Sequence, residues 1–534
     1  MIDPYSLSGR LWQNTKLKIS LLAAFVMSML AHAYSYYNAT FGLDRYYWFG
    51  GNSSGYNNKL NMGKWFFRPV KALDWGAYLP WLNGVIAFVC LGVSVYMICE
   101  VLDIRNTFSI FLIAGLCAVD GSVIMAHFYD PDSFLIALML ACIALWIWNR
   151  PKIGIIWRIV LGALFISLSI GVYGAYTTIA PTVVIIACIM LVIKGEDVTA
   201  VFKRGVEFVV TFVLGVGLYY LIQRVLLRIT GTVMTSYLNE DRLMTGASFQ
   251  EILGFIREGY TTALKWWLRG RGVGWHAVSG RMATALFICF VLLLAIMIYQ
   301  STDMKKSVKA YVLMAFLLVV LPLSAGAIYV MAFGMVHGLM TFTFVALYIA
   351  IIRLCEDAWQ LRTGNSGKAV KYAGTIVAAV SSVMIIFCIY RGVLAANMSY
   401  SRWDNLNTVS DSIAFRVLER IESCDDFQGN EDVVFVGDVT DSEYFGHSGY
   451  ENSDTLKILN GMLGVDKDAS DTFLYYSHLI WFLQEYTETD LNMYYYDAED
   501  FDESEHMIIN NMPLFPADGS VYKLNGRIVV KFSN

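Results

Sequence analysis

NATFGLDRYYWFGGNSSGYNNKLNMGKWFFRPVKALDW (residues 38–75) lies between two apolar stretches, 17–37 and 77–101, each long enough to cross a bilayer. Neighbouring elements of a compact protein are usually joined by a few residues, and a much longer loop is functional or disordered. So many aromatic residues fit disorder badly. The loop carries Asp44 and Arg45, then Tyr46, Tyr47, Trp48 and Phe49. Further on, Trp65, Phe66 and Phe67 are interleaved with Lys59, Lys64, Arg68 and Lys71. Aromatic rings with basic heads suit a segment lying among lipid headgroups. Two readings stand: an ordinary aromatic belt with a solvated Asp44, or the place where a reaction happens.

Composition sets the class around this loop. The chain has 534 residues, of which 57% are hydrophobic and only 16% charged, and this excludes a soluble globular protein of ordinary composition. Windows of about 20 apolar residues fall at 17–37, 77–101, 107–126, 133–148, 154–172, 177–193, 206–228, 283–299, 309–331, 336–354 and 373–394, giving about 11 transmembrane helices. The first apolar run has no cleavage pattern after it and is expected to stay as the first helix. Arg10, Lys16 and Lys18, then Arg105, Arg150 and Lys152, then Lys194, Lys203 and Arg204, then Lys305, Lys306 and Lys309, and finally Arg362, Lys368 and Lys371 fall on one side of an eleven-span path. The positive-inside rule makes that side cytoplasmic. Asp44 then faces outward, as does everything after residue 394.

The second outward connection, AHFYDPDSF (126–134), places Asp130 and Asp132 with His127 at the outer boundary. Pro131 keeps Asp130 extended. Asp132, beside Ser133, reads either as a cap of the helix that follows or as a site residue. Asp120 falls inside an apolar window, where a charge must face the interior, so a structural hydrogen bond to a neighbouring helix is expected. SIGVYGAYTTIAP (169–181) offers Tyr173 and Tyr176 at the boundary, or simply a tight helical turn. The long loop 229–282 contains a helix over 248–268, with apolar positions recurring every three and four residues. Its far end gathers Lys265, Arg269, Arg271, Arg281 and His276 among Trp266, Trp267 and Trp275. Arginine favours two-pronged recognition of phosphate; contact with lipid headgroups is the alternative.

Residues 395–534 hold 26 Asp and Glu against eight Lys and Arg, a net of −18, whereas the preceding residues net +13. They form a separate acidic domain beyond the transmembrane domain 1–394. A helix over 403–423, a strand at 433–438, a helix over 470–486 and a terminal strand pair turned by Asn525-Gly526 predict a small α/β domain. No G-x-G-x-x-G follows the VVFVGD strand, and the acidic surface argues against nucleic acid.

An outward Asp44, carboxylates in the next outward loop and a later basic outward loop match the needs of sugar transfer from a lipid phosphate. Such transfer requires a carboxylate base, cations for the departing phosphate and access from the bilayer. FGLDRYY, HFYDPDSFLIALML, LSIGVYGAYTTIA and the ending FPADGSVYKLNGRIVVKF resemble the GtrII-type glucosyltransferase family, within the GT-C fold of integral-membrane glycosyltransferases. That resemblance implies inverting transfer of glucose from a polyprenyl-phosphate donor to a surface glycan, on the outer face of the cytoplasmic membrane. It also implies a donor synthase and a flippase as partners. Asp44 would be the catalytic base. Asp130 and Asp132 would be acceptor or metal-proximal contacts, with His127, Arg45 and Tyr173 around the substrates, and Arg269 and Arg271, with Lys265 and His276, would bind phosphate. Asp130 and Asp132 are too few ligands for a cation cage, so no cofactor is expected, a divalent metal remaining the alternative. A lipid-linked glycan polymerase, or a transporter or flippase of a lipid-linked sugar, are the competing readings; a transporter calls for inverted repeats or several intramembrane charges.

Overall fold

The computed structural model describes residues 13–38, 59–75, 79–235, 242, 246–301, 307–361, 367–439, 479–480, 483–484 and 491–534. They form two compact units, one ending at Asn397 and the other taking Met398–Asn534.

The first unit is helical: α1 (Thr15–Tyr37), a short α2 (Phe67–Lys71), α3 (Pro80–Val101), α4 (Thr107–Ala118), α5 (Gly121–Ala126), α6 (Pro131–Trp148), α7 (Ile155–Tyr173), α8 (Ile179–Ile193), α9 (Val198–Thr230), α10 (Phe249–Arg269), α11 (Arg281–Gln300), α12 (Val308–Ala325), a single turn α13 (Ile328–Met331), α14 (Ala346–Leu361) and the part of α15 (Lys368–Glu422) up to Asn397. Eight helical stretches among the described residues are long and apolar enough to cross a membrane: α1, α3, α6, the run α7–α8, α9, α11, α12 and the Lys368–Asp404 part of α15. Eleven spans are therefore not confirmed. The window 107–126 breaks at Asp120, whose Oδ1 accepts from the backbone N–H and the hydroxyl of Ser122 and so caps α5. Among the described residues it makes no hydrogen bond to another helix. The window 336–354 opens with two 3-10 turns, Gly338–Met340 and Phe342–Val345, and only then becomes α14.

The 39-residue run Ile155–Ile193 doubles back on itself. Ser169 Oγ lies 2.8 Å from Thr177 Oγ1, whereas eight residues of straight helix would separate them by about 12 Å. The 3-10 turn Gly174–Thr178 makes the reversal, and α7 and α8 both pack on α6 and α9. This is the tight turn that the glycines of SIGVYGAYTTIAP suggest.

Polar networks mark the two ends of α3. Near its start Asn83 is buried and bonded to Asp74. At its end Glu100 pairs with Lys16 at 2.7 Å and Arg150 at 3.2 Å. The 17 residues between them rise about 26 Å along the axis, close to the thickness of a bilayer's hydrocarbon core. The same spacing separates Asp132 from Asn149 along α6, where Asn149 Oδ1 accepts from Arg204.

The second unit holds a four-stranded sheet of β1 (Asp432–Val436), β2 (Asn492–Tyr495), β3 (Val521–Leu524) and β4 (Arg527–Lys531), in the order β2-β1-β4-β3. β1 is parallel to β2 and β4, and β3–β4 is an antiparallel hairpin turned at Asn525 and Gly526, both at positive φ. A helix α16 (Glu503–Asn511), opened by an Asp502–Glu505 capping box, packs Ile509 with Val434, Val529, Phe501 and Leu524. β2 and α16 were not anticipated from the sequence, and the helix expected over 470–486 lies almost wholly outside the described residues.

Candidate active site

The described part of the first connection is docked into the helices by its backbone. Tyr219 and Gln223 of α9 donate to the carbonyls of Gly63 and Leu60, at 3.0 and 2.8 Å. Phe66 N–H donates to the carbonyl of Gly171 in α7. Gly171 is obligatory there, because a Cβ would come within 2.7 Å of the Trp65 ring. Trp65 and Phe67 are buried. These two rings are protein core, which corrects their reading as part of an interfacial belt; among the described residues of the run, Trp75, 95% exposed in a left-handed conformation, fits such a belt, and Tyr46, Tyr47, Trp48 and Phe49 lie outside the described residues.

This docking delivers Lys71 and Asp74 to the start of α6. Lys71 Nζ lies 2.5 Å from Asp74 Oδ2 and 3.4 Å from both Asp130 Oδ1 and Asp132 Oδ2. Asp74 Oδ2 also accepts from Asn83 Nδ2 at 2.7 Å, and Asn83 Oδ1 accepts from the Leu79 N–H at the mouth of α3. Asp130 is the N-cap residue of α6 and Asp132 stands in its first turn, yet the Asp130 side chain makes no capping bond. The carboxylates turn to Lys71 instead, so the capping role expected of Asp132 gives way to an ion-pair role. Burial alone would lower the Lys71 ammonium; Asp130, Asp132 and Asp74 around it reverse that and hold it above the ordinary lysine range.

Three carboxylates therefore share one ammonium in a buried place. Asp132 Oδ1 has no hydrogen-bond partner among the described residues, and the residue is 1% exposed. A buried carboxylate oxygen left without a hydrogen-bond partner costs about 1–3 kcal/mol until a proton or a donor answers it. The arrangement is suited to accepting hydrogen bonds, or a proton, from a polyol. Among the described residues no group of three or more His, Cys, Asp or Glu is arranged to hold a metal ion, and the Lys71 ammonium occupies the middle of the Asp triad.

His127 and Tyr173 join the same region. Phe134, two positions beyond Asp132, meets the Tyr173 ring edge-on at 4.7 Å, and Lys64 lies over that ring at 5.5 Å. His127 is stacked on His32 of α1, centroids 3.8 Å apart, and its Nδ1 bonds to the Val123 carbonyl. Asp44 and Arg45 lie outside the described residues.

The basic connection approaches from another direction. A Cβ on Gly121 would meet the Trp275 carbonyl at 1.8 Å, so glycine alone lets the loop after α10 close on α5, whose C-cap is His127. His276 is buried and stacked on Trp266, beside a cavity of about 10 Å³, room for one water, that Asp120 and Tyr348 also line. Lys265, Arg269 and Arg271 are exposed, and among the described residues none of them pairs with the carboxylate cluster. Sequence reading missed Asp74 and Asn83 and took Lys71 for an interfacial cation. The only local signal was the i,i+3 pair Lys71–Asp74 just before a proline-started helix.

A family model described as glucosyl transferase GtrII matches residues 34–354, more than half of the chain, from the end of α1 into α14. The matched part includes both connections that build the cluster. No curated protein matches the chain.

Proposed function

As the chain belongs to the glucosyl transferase GtrII family, we propose that it moves glucose from a polyprenyl-phosphate donor to a surface glycan, with inversion, on the outer face of the cytoplasmic membrane. The observation that carries this reading is the buried Lys71–Asp74–Asp130–Asp132 cluster, which the connection before α3 and the start of α6 build together at one end of the spans. In the transfer, an acceptor hydroxyl gives its proton to a carboxylate and its oxygen bonds to the anomeric carbon. The sugar–phosphate C–O bond breaks, its electron pair staying on the lipid phosphate. Asp44, in the connection that also supplies Lys71 and Asp74, is the proposed base, with Arg45 beside it. Asp130 and Asp132 receive the acceptor's hydroxyls near Tyr173 and His127. Arg269 and Arg271, with Lys265, are the proposed cations for the donor phosphate; Lys265 and Arg269 stand in the last turns of α10 and Arg271 in the loop that holds His276. Metal independence belongs to the same proposal.

The reading is tested with purified protein in lipid, radiolabelled polyprenyl-phosphate glucose and an envelope glycan, comparing wild type with Asp44→Asn. Label moving to glycan with wild type alone supports both the reaction and the base. Transfer by both proteins removes Asp44 from the role, and transfer by neither removes this donor.

A further inference from the structure

The distances around Lys71 are unequal in a way that ion pairing alone does not require. Asp74 takes the ammonium at contact distance and is also held by Asn83, so it is a satisfied anchor. Asp130 and Asp132 each stand at 3.4 Å, beyond the 2.7–2.9 Å usual for a charge-assisted hydrogen bond. One cation is thus spread over two carboxylates that come from the N-cap and the first turn of one helix. The remaining neighbours are, from α3, Asn83 and Cys90, the latter near enough to feel Asp132, from α7 the Tyr173 ring with the Lys64 ammonium over it, and, at the C-cap of α5, His127.

We propose that Lys71 is a positioning residue for the acceptor: anchored by Asp74, its ammonium draws Asp130 and Asp132 together in their charged form and leaves Asp132 Oδ1 facing a hydroxyl of the incoming glycan. The nature of that hydroxyl rests on the glycosyl-transfer reading; the coupling of the four side chains does not. Without Lys71, two like charges share a buried site, and one of them takes up a proton. The carboxylate that would accept the hydroxyl is then neutral and a poorer acceptor. Asp74 acts in the opposite sense, since it competes for the same ammonium.

The test is an infrared titration of the full-length protein in lipid. It follows the protonated-carboxyl stretch, assigned by its loss in Asp132→Asn, in wild type, Lys71→Met, Lys71→Arg and Asp74→Asn. Lys71→Met is expected to move the titration up by at least about one pH unit, the size of an opposite-charge effect at this range. Lys71→Arg should leave it in place, and Asp74→Asn should move it down. Acceptor KM should rise in Lys71→Met below the shifted midpoint while kcat at saturating acceptor holds. If Lys71→Met does not insert, Asp74→Asn decides alone. Titrations that coincide in all the variants that insert overturn the proposal. Failure of wild type to transfer glucose sinks only the reaction, because the infrared arm needs no turnover.

Discussion

Asn83 Nδ2 donates to Asp74 Oδ2 across 2.7 Å, while Asn83 Oδ1 accepts from the backbone N–H of Leu79. One side chain thereby joins the mouth of α3 to the anchor of the Lys71 cluster. Asn83→Ala removes both bonds and leaves a buried carboxylate with one partner fewer, at a cost of about 2 kcal/mol. Asn83→Asp is expected to be worse, since it adds a fourth carboxylate beside one ammonium. Thermal inactivation in lipid nanodiscs gives the order wild type, Asn83→Ala, Asn83→Asp; an Asn83→Asp protein as durable as wild type would show that the cluster has spare positive charge.

Two glycines bring α10 against the end of α12. A Cβ on Gly259 would sit 2.3 Å from the Gly326 carbonyl, and one on Gly326 would sit 2.3 Å from the Gly259 carbonyl. Backbone atoms on both sides cannot yield as a flexible side chain does. Gly259→Ala should therefore cost about 1–3 kcal/mol. Gly254, in the same helix, has open space at its Cβ position, so Gly254→Ala should be neutral or gain up to about 1 kcal/mol from helix propensity. Unfolding of both variants side by side checks the contrast, and equal effects would contradict the close approach of these helices.

The spans were legible in the sequence because an apolar run of about 20 residues is unfavourable in water and matches the thickness of a bilayer's hydrocarbon core. The limits of that pattern show in two windows. Residues 107–126 are apolar enough to read as one helix, and only the Asp120-Gly121-Ser122 triplet, a capping signal inside the run, betrays the break. Residues 336–354 begin with short 3-10 turns that composition does not distinguish from helix. The terminal hairpin was legible because Asn-Gly supplies the positive φ that its turn uses. The site was legible in part: Asp130 and Asp132 stand out beside Pro131, whereas Lys71 meets Asp132 across 61 residues of sequence, a pairing on which local pattern is silent. Its basic and aromatic neighbours made it look like a headgroup contact, and only its burial shows otherwise.

His276 provides a pH test of how the basic connection is packed. Burial, aided by the Arg391 charge and only partly opposed by the nearby backbone of Gly270 and Val278, pushes its imidazole down to about 4. The unfolded chain takes up a proton near pH 6.5, while the folded protein resists doing so until about pH 4. Its contribution is therefore fully present above about pH 6.5 and declines as pH falls toward 4, by about 3 kcal/mol in all. His276→Gln keeps a polar side chain of similar reach and removes the titration. Between pH 7.5 and 5 the wild type should lose more stability than His276→Gln, by up to about 2 kcal/mol. The stack of His276 on Trp266, centroids 4.0 Å apart, should give the wild type its advantage at pH 7.5, and the two melting curves should converge as the pH is lowered. Curves that stay parallel would mean that His276 is open to solvent and that the loop behind Gly121 does not close on α5.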